Sequence, residues 1–436
     1  MRSVLRNCQM LLPGRKTGFG DIVINHASGV IEEIALGGFG GNADAELDLA
    51  GHLVMPGLIN CHGHTPMTLV RGLGGGLPLQ RWLEEAIFPV EAKMTDEDVY
   101  AGAVWGAMEM LASGTTCIAD MYDHNYGHAF CELGMRARVC VPGLSIVPGR
   151  LEQCITATRD WNRWMRDEVK DDVYMDVCIH SEYLTDEPFC RGLADANREL
   201  KRRLHFHCSE TKREHEECIA RHGKTPIAYL ADTGILDNGG YAAHCVWCTD
   251  DDFRIMAERN VSLVHNPTSN MKLGSGFARI ARAKELGVNV ALGTDGVASN
   301  DNLDMFEEMH LASLIHKGLA QDPTVLSPWD VIEMATVNGA RALGRDDIGE
   351  IAVGKKADLC VIDLDRPHLT PALDLANLVV HSMHASDVVM TFVDGDSVYD
   401  KRRAGAEFDG VYQGFAKAKA NLLAAVKRLG LVTVQQ

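Results

Sequence analysis

The middle of the chain alternates short apolar runs with stretches whose apolar residues recur at helical spacing. Eight runs end in polar residues, namely LVMPGLINCHGH, TTCIADMY, ARVCVPGLSI, MDVCIHSEY, RLHFHCSE, YAAHCVW, VSLVHNP and VALGTDG. Segments between them, such as EDVYAGAVWGAMEMLASG, favour helices. Alternating strands and helices predict a parallel sheet. Eight such units predict an α/β fold of the (β/α)8 TIM-barrel type.

The two chain ends have a different pattern. Within 1–53, apolar and polar positions alternate in short segments that turn residues separate. The same pattern recurs within 350–405. This pattern is typical of short antiparallel strands. We therefore expect a composite β-sandwich domain (1–53 and 350–405), a barrel domain (54–349) and a C-terminal helix (406–436) packed on one of them. The competing fold is an open doubly wound sheet, which would require a glycine-rich phosphate loop where this chain has GLINCHGH.

Polar residues collect at the ends of the predicted barrel strands, where this fold places its active site. They are His62, His64, Asp120, His180, His207, Glu210, His244, His265 and Asp295. His62 and His64 are separated by one residue and so point to the same side of a strand. Each residue alone is equally explained as a packed polar side chain, a loop anchor or a helix cap. Together, His62, His64, His207 and Asp295 predict a site for one divalent ion.

Two residues near the predicted metal ligands, Glu210 and His244, indicate acid–base chemistry. A bound divalent ion would lower the pKa of a water molecule. Glu210 lies three residues after His207 and is the expected proton carrier. His244 is expected to polarise the atom under attack. His205 shares a strand face with His207, but packing deeper in the barrel explains it equally well.

Composition narrows the class of protein. The 436 residues include 42 Lys and Arg against 60 Asp and Glu, a net charge of −18 that disfavours nucleic-acid binding. No apolar run is long enough to predict a membrane span. The 13 cysteines, an odd and scattered set, predict reduced thiols in a cytoplasmic protein. We interpret the CxxC pair Cys245 and Cys248 as structural, with a redox or zinc-knuckle role as the alternative. Composition does not decide whether the chain forms a homo-oligomer.

Five motifs occur in fixed order: VMPGLINCHGHTPMTLVRG, HFHCSET, AAHCVW, HNPTSNMKLGSG and LGTDGVASNDNLDMFEEM. With the late segment GEIAVGKKADLCVIDLD, they resemble the amidohydrolase superfamily. Within it, the chain is most similar to the group of 5'-methylthioadenosine/S-adenosylhomocysteine deaminases and s-triazine hydrolases. The resemblance implies one metal ion, usually zinc, with Fe²⁺ or Mn²⁺ as alternatives. It assigns His62, His64, His207 and Asp295 as ligands and Glu210, His244 and Asp295 as catalytic residues.

The resemblance also implies a small heterocyclic substrate. Glu91 matches the position that holds the ribose hydroxyls in adenosine-type deaminases of the group. His180 and Arg150 match positions that line the ribose and its 5' substituent, and His244 contacts the reacting edge of the ring. His180 also stands where dinuclear relatives carry a carboxylated lysine, which favours one metal. Trp82 either covers the base or packs its own loop.

We therefore expect a zinc-dependent aminohydrolase that converts an adenine nucleoside derivative to the inosine analogue and ammonia. S-adenosylhomocysteine, 5'-methylthioadenosine and adenosine are the expected substrates. The first alternative is a deaminase of a free base such as guanine, 8-oxoguanine or isoxanthopterin, or an amino- or chlorohydrolase of s-triazines. None of these alternative substrates has a ribose diol that Glu91 could bind. A non-catalytic barrel is disfavoured because every matched ligand is present, and a nucleophilic hydrolase because no GxSxG motif occurs.

Overall fold

The strands fall into two groups, one from the chain ends and one from the middle. A computed structural model of the protein describes residues 1–122, 126–169 and 172–431. Its strands are β1 Arg2–Leu12, β2 Lys16–Asn25, β3 Val30–Ala35, β4 Ala45–Asp48, β5 His52–Pro56, β6 Leu58–His64, β7 Thr115–Met121, β8 Arg136–Cys140, β9 Val173–Met175, β10 Val177–Cys178, β11 Leu204–Cys208, β12 Gly240–His244, β13 Val261–His265, β14 Val290–Leu292, β15 Asp295–Gly296, β16 Leu359–Asp363, β17 Val388–Val393 and β18 Asp396–Asp400.

Most helices lie between strands of the middle group, and the last two lie among and after the strands of the chain ends. The helices are α1 Leu79–Trp82, α2 Phe88–Glu91, α3 Asp96–Ala112, α4 His128–Glu132, α5 Arg150–Trp164, α6 Glu187–Leu200, α7 Lys212–His222, α8 Pro226–Thr233, α9 Asp250–Glu258, α10 Pro267–Lys272, α11 Ile280–Glu285, α12 Val297–Asn300, α13 Met305–Ala320, α14 Pro328–Met334, α15 Val337–Ala342, α16 Leu375–His381 and α17 Ala404–Arg428. A short π-helical turn, Leu83–Ile87, joins α1 to α2. Among the described residues, no helix combines the length and the apolar character needed to cross a bilayer.

The chain ends contribute to one eight-stranded sheet. Its order is β18-β17-β16-β5-β1-β2-β3, with β4 paired to β1. The antiparallel pairing of β5 with β16 joins the two ends and places Pro56 opposite Leu359. Buried apolar side chains from both ends, including Met10, Ile24 and Val361, form a common core under this sheet. The two ends therefore fold together.

The middle strands form two parallel five-stranded sheets. Their orders are β15-β6-β7-β8-β9 and β10-β11-β12-β13-β14. The two sheets are joined by very short connections, because one residue separates β9 from β10 and two residues separate β14 from β15. All eight apolar runs predicted as strands contain strand residues. Successive parallel strands bring their carboxyl ends to one edge.

The first of the eight apolar runs, LVMPGLINCHGH, was predicted as one strand but is divided between β5 and β6. Pro56 ends β5, and proline cannot donate a hydrogen bond to a ladder. Gly57 packs so closely on Thr116 that a Cβ atom there would lie 2.4 Å from its side chain. The prediction of a single strand was therefore wrong, although His62 and His64 do lie at the end of β6.

The C-terminal helix α17 packs on α3. The rings of Trp105 and Phe415 stack with centroids 4.3 Å apart. Lys417 pairs with Glu97 at 3.1 Å, at the first turn of α3. Residues 432–436 of the predicted helix lie outside the described residues.

Candidate active site

Three strand ends bring the predicted ligands together. His62 Nε2 and His64 Nε2, both on β6, each lie 3.2 Å from Asp295 Oδ1 on β15. His207 Nε2, on β11, lies 3.3 Å from His64 Nε2. Gly63, between the two histidines, lets β6 pack closely on β7, because a Cβ atom there would lie 2.9 Å from Ile118 and 3.2 Å from Asp120. His244 of β12 joins the group, since the donor atoms of His62, His207, His244 and Asp295 all lie within 4.8 Å of one another.

The protonation of these imidazoles favours a cation between them. His207 Nδ1 donates to the carbonyl oxygen of His180 at 2.7 Å, and His64 Nδ1 donates to that of Met121. In the neutral form each imidazole has only one N–H, so the Nε2 atoms of His64 and His207 would then face each other with lone pairs. With its proton on Nδ1, toward His205, the buried His62 Nε2 makes no hydrogen bond among the described residues, although Asp295 lies beside it. A divalent ion bound by three imidazoles and a carboxylate would use all of these lone pairs.

Asp295 is oriented by two serine hydroxyls. Its Oδ2 accepts hydrogen bonds from Ser269 Oγ at 2.6 Å and from Ser299 Oγ at 2.9 Å, which leaves Oδ1 facing the imidazoles. Burial alone would raise the pKa of Asp295, but His62 and His64 hold it well below its usual range. Burial opposes a charge on His64, yet Asp295 raises the pKa of that imidazole to about 9. The carboxylate therefore stays ionised and favours a positive charge beside it.

His205 lies directly behind His62. Its Nε2 is 2.8 Å from His62 Nδ1, and its own Nδ1 is 3.8 Å from the Sγ atom of Cys140. An acceptor at this position keeps the His62 proton on Nδ1 and frees Nε2 to bind a metal. The sequence left the role of His205 open between ligand and packing, and the structure places it behind a ligand.

Glu210 and His244 face each other beside this cluster. Glu210 Oε2 lies 3.8 Å from His244 Nε2, and Glu210 Oε1 accepts from Ser275 Oγ at 3.3 Å. The opposite nitrogen of His244, Nδ1, is 2.8 Å from Asn270 Oδ1. Burial raises the pKa of the Glu210 carboxyl above its ordinary value. The carboxyl group therefore holds a proton more readily than an exposed glutamate and is suited to proton transfer.

The turn that carries Glu210 is held by a second carboxylate. Glu214, in the first turn of α7, accepts from the backbone nitrogens of Ser209 at 2.9 Å and Glu210 at 2.8 Å. Burial, followed by the charge of Glu210, raises the pKa of Glu214 to about 7. The sequence analysis did not identify Glu214. The sequence feature that could have identified Glu214 is the helix-start pattern Thr211-Lys212-Arg213-Glu214, in which the Thr211 side chain caps the helix.

A cavity of about 320 Å³ opens from this cluster. Its wall includes Glu91, whose Oε1 accepts from Tyr122 Oη at 2.6 Å. Trp82 lines the cavity and also donates from Nε1 to the Leu73 carbonyl at 3.0 Å, so it both packs its loop and forms part of the wall. The rest of the wall is largely apolar, with Met67, Leu79, Leu83, Ile87, Phe88, Met121, Leu144 and Leu273.

A family model, described as the amidohydrolase family, matches residues 53–398. The chain belongs to the amidohydrolase family. It is 45% identical over 366 residues to a 5-methylthioadenosine/S-adenosylhomocysteine deaminase of Acetivibrio thermocellus, with 83% of this chain and 84% of that protein covered. It is 44% identical over 365 residues to a 5'-deoxyadenosine deaminase of Methanothermobacter thermautotrophicus, with 81% and 84% covered.

Among solved structures, this amidohydrolase is similar to an adenosine deaminase from Xanthomonas campestris with bound zinc. The TM-score is 0.89 at 28% identity, and the match covers 96% of this chain and 98% of that one. The mixed α/β content and this likeness show the amidohydrolase fold, as the sequence predicted.

The amidohydrolase brings most of its predicted site residues to one cavity. His64, His207, His244, Asp295, Glu210, His180, Glu91 and Trp82 line it, and His62 lies directly behind. Burial lowers the pKa of His180 to about 3, and its ring centroid is 4.6 Å from that of His207.

Three other strand-end or loop residues lie away from the cavity wall. Arg150 begins α5, is buried, and is not among the described residues that line the cavity. Asp120 accepts from the backbone and hydroxyl of Thr65 at 2.8 and 2.7 Å and so fixes the turn after β6. His265 Nε2 contacts His316 Nε2 at 3.2 Å. Asp120 therefore supports a strand end, whereas a substrate contact for Arg150 stays a prediction.

Proposed function

We propose that this protein is a zinc-dependent aminohydrolase that deaminates adenine nucleosides carrying variable 5' substituents. The observation that carries the proposal is a single cavity lined by two kinds of polar group. The imidazole cluster with Asp295 and Glu210 lines it, and so does the separate carboxylate of Glu91. A base amino group bound at the cluster would leave the ribose diol to reach Glu91. The deaminase relatives support this assignment.

The donor set fits a divalent ion. His62, His64, His207 and Asp295 would hold it, because their facing lone pairs and the ionised carboxylate need a cation. We propose zinc, since the structurally similar adenosine deaminase carries it. Such an ion supplies a water molecule activated for attack at neutral pH.

Proton transfer is the task of Glu210. Its raised pKa lets the carboxyl donate a proton to the ring nitrogen beside the amino-bearing carbon. The resulting carboxylate would then take the remaining proton of the hydroxyl group added to the ring carbon and deliver it to the departing amine, which leaves as ammonia. Ser275 holds Oε1, so Oε2 is the oxygen that faces His244. His244 and Asp295 would orient the attacking water, Asp295 would accept its first proton and later return it to Glu210, and His244 would contact the charge that develops on the attacking oxygen.

Glu91 selects the sugar. A carboxylate accepts two hydrogen bonds in parallel, which matches a ribose 2',3'-diol. Tyr122 fixes its orientation from the side. Trp82, Leu79 and Phe88 also line the cavity and would offer apolar surface to the flat base. His180, neutral because burial lowers its pKa, would contact the ribose.

A substrate panel tests the proposal. The zinc-loaded enzyme would be assayed by ultraviolet absorbance and ammonia release with adenosine, 5'-deoxyadenosine, 5'-methylthioadenosine and S-adenosylhomocysteine. Guanine, 8-oxoguanine, isoxanthopterin and a chloro-triazine are the competitors. We expect turnover of the nucleosides, loss of activity on chelation and recovery on adding zinc. Turnover confined to free bases or the triazine would overturn the substrate assignment and keep the metal site.

We also propose a domain organisation that suits this chemistry. The two parallel sheets would close into one eight-stranded barrel through the β9–β10 and β14–β15 junctions, with the site at its carboxyl end. The sheet built from both chain ends would fold over its own core as a small β-sandwich domain. The supporting observations are the short junctions and the separate core of that sheet.

A further inference from the structure

Three buried cysteines form a cluster on the outer side of two catalytic strands. The Sγ atoms of Cys208, Cys245 and Cys248 all lie within 4.8 Å of one another. The sequence showed only the CxxC pair, and Cys208 joins it from the neighbouring strand. Cys208 follows His207 in β11, so its side chain points away from the face that His207 presents to the cavity. The cluster is therefore separate from the cavity donors.

The backbone holds the three thiols in place. Cys245 N donates to Cys208 O at 2.9 Å, and Cys248 N donates to Cys245 O at 3.4 Å, which closes a turn over the cluster. Ser209, His244 and Cys245 have φ values of 47°, 73° and 50°, in the left-handed region that non-glycine residues rarely adopt. Strained residues of this kind collect at functional sites. Ser209 directly follows Cys208, and Cys245 itself contributes a thiol to the cluster.

We propose that Cys208, Cys245 and Cys248 form a second metal site, which takes one soft, thiophilic cation of the Cu(I) or Cd²⁺ class in three-coordinate geometry. Thiolates select soft cations. Structural zinc sites need four ligands, and no fourth His, Cys, Asp or Glu donor joins this group in the described part of the chain. On binding, the three S–H bonds release their protons to solvent and three sulfur–metal bonds form.

The two sites differ in the cations they prefer. The cavity cluster offers nitrogen and oxygen donors, whereas the cysteine cluster offers sulfur alone. A soft cation added to the zinc-loaded protein should therefore enter the cysteine cluster first. The turn that carries Cys248 lies near the surface, because Trp247 beside it is 39% exposed. This position gives an ion a short path to the thiols.

Cadmium titration tests the second site. Full-length zinc-loaded protein, kept reduced with a phosphine, would be titrated with CdCl₂ while thiolate-to-cadmium charge transfer is followed in the ultraviolet. The cavity donors contain no sulfur, so they add nothing to this band. We expect saturation at one Cd²⁺ per chain and Cd–S bonds in the X-ray absorption spectrum. Cys248→Ser should weaken binding by about tenfold or more, because it removes one ligand.

A matched control and a second readout keep the result decisive. Cys360 is also a buried thiol, in β16, and Cys360→Ser should leave the titration unchanged. If Cys248→Ser does not fold, alkylation of the wild-type protein takes its place, with Cd²⁺ expected to protect the peptides that contain Cys208, Cys245 and Cys248. A wild-type protein without the charge-transfer band would overturn the proposal. Equal bands in the Cys248→Ser variant, or protection at other cysteines, would also overturn it.

Discussion

The Glu91→Gln variant separates sugar recognition from chemistry at the base. The glutamine side chain keeps an oxygen that can accept from Tyr122, as Glu91 Oε1 does at 2.6 Å. The substitution therefore removes the negative charge and leaves the cavity volume almost unchanged. Hydrogen bonds to a charged group contribute about 1.5–3 kcal/mol. Losing that contribution should lower kcat/KM for adenosine roughly 10- to 150-fold.

The assay compares two substrates in two enzymes. Adenosine presents a 2',3'-diol to Glu91, whereas 2',3'-dideoxyadenosine does not. With the dideoxy substrate, Glu91→Gln should change kcat/KM less than about threefold, because the lost hydrogen bonds were never formed. Glu84→Gln is the matched control, since Glu84 is exposed on the same segment and does not line the cavity.

An equal loss with both substrates would refute this reasoning. It would mean that Glu91 supports the fold of the cavity wall, through Tyr122 or a neighbouring element, and does not bind the diol. Full activity of Glu91→Gln on adenosine would remove the main structural support for a nucleoside substrate. The free-base and triazine alternatives would then become the better interpretation of the same metal cluster.

Two further variants test the surroundings of the site. His205→Phe removes the acceptor behind His62 and should lower metal affinity roughly 10- to 100-fold in a chelator competition titration; unchanged affinity would contradict the role given to His205. Burial raises the pKa of Glu308 to about 8 from an ordinary value of 4.5, so the stability it contributes is complete below about pH 4.5 and is lost as the pH rises through 8. Glu308→Gln should therefore lose less thermal stability between pH 5 and pH 9 than the wild type in parallel melts, and identical pH dependence would argue against a neutral Glu308.

The strand-end residues were predictable because one geometric rule places them. Parallel strands that alternate with helices bring their carboxyl ends together, so His62, His207, His244 and Asp295 needed only correct strand positions. Their sequence separation did not matter. The roles of these residues still depend on the resemblance and on the experiments above.

Residues behind the ligands were not predictable in the same way. The orientation of Ser269 and Ser299 toward Asp295 depends on the exact start of two short helices, α10 and α12. Cys208 meets Cys245 because β11 and β12 pair with Cys208 opposite His244. A sequence gives the alternation of each strand but not the register between strands. Arg150 shows the same limit for loops, since the loop before α5 decides where that side chain lies.

Backbone strain gives an independent reason to place function at this edge. Non-glycine residues in the left-handed region cost about 1–3 kcal/mol each. Ser209, His244, Cys245 and Asp295 all have positive φ values between 47° and 73°, and all lie at or next to an end of β11, β12 or β15. A fold selected for stability alone would relieve such strain with glycine. At two of these positions the retained side chains belong to the proposed site, because His244 faces Glu210 and Asp295 faces the imidazoles.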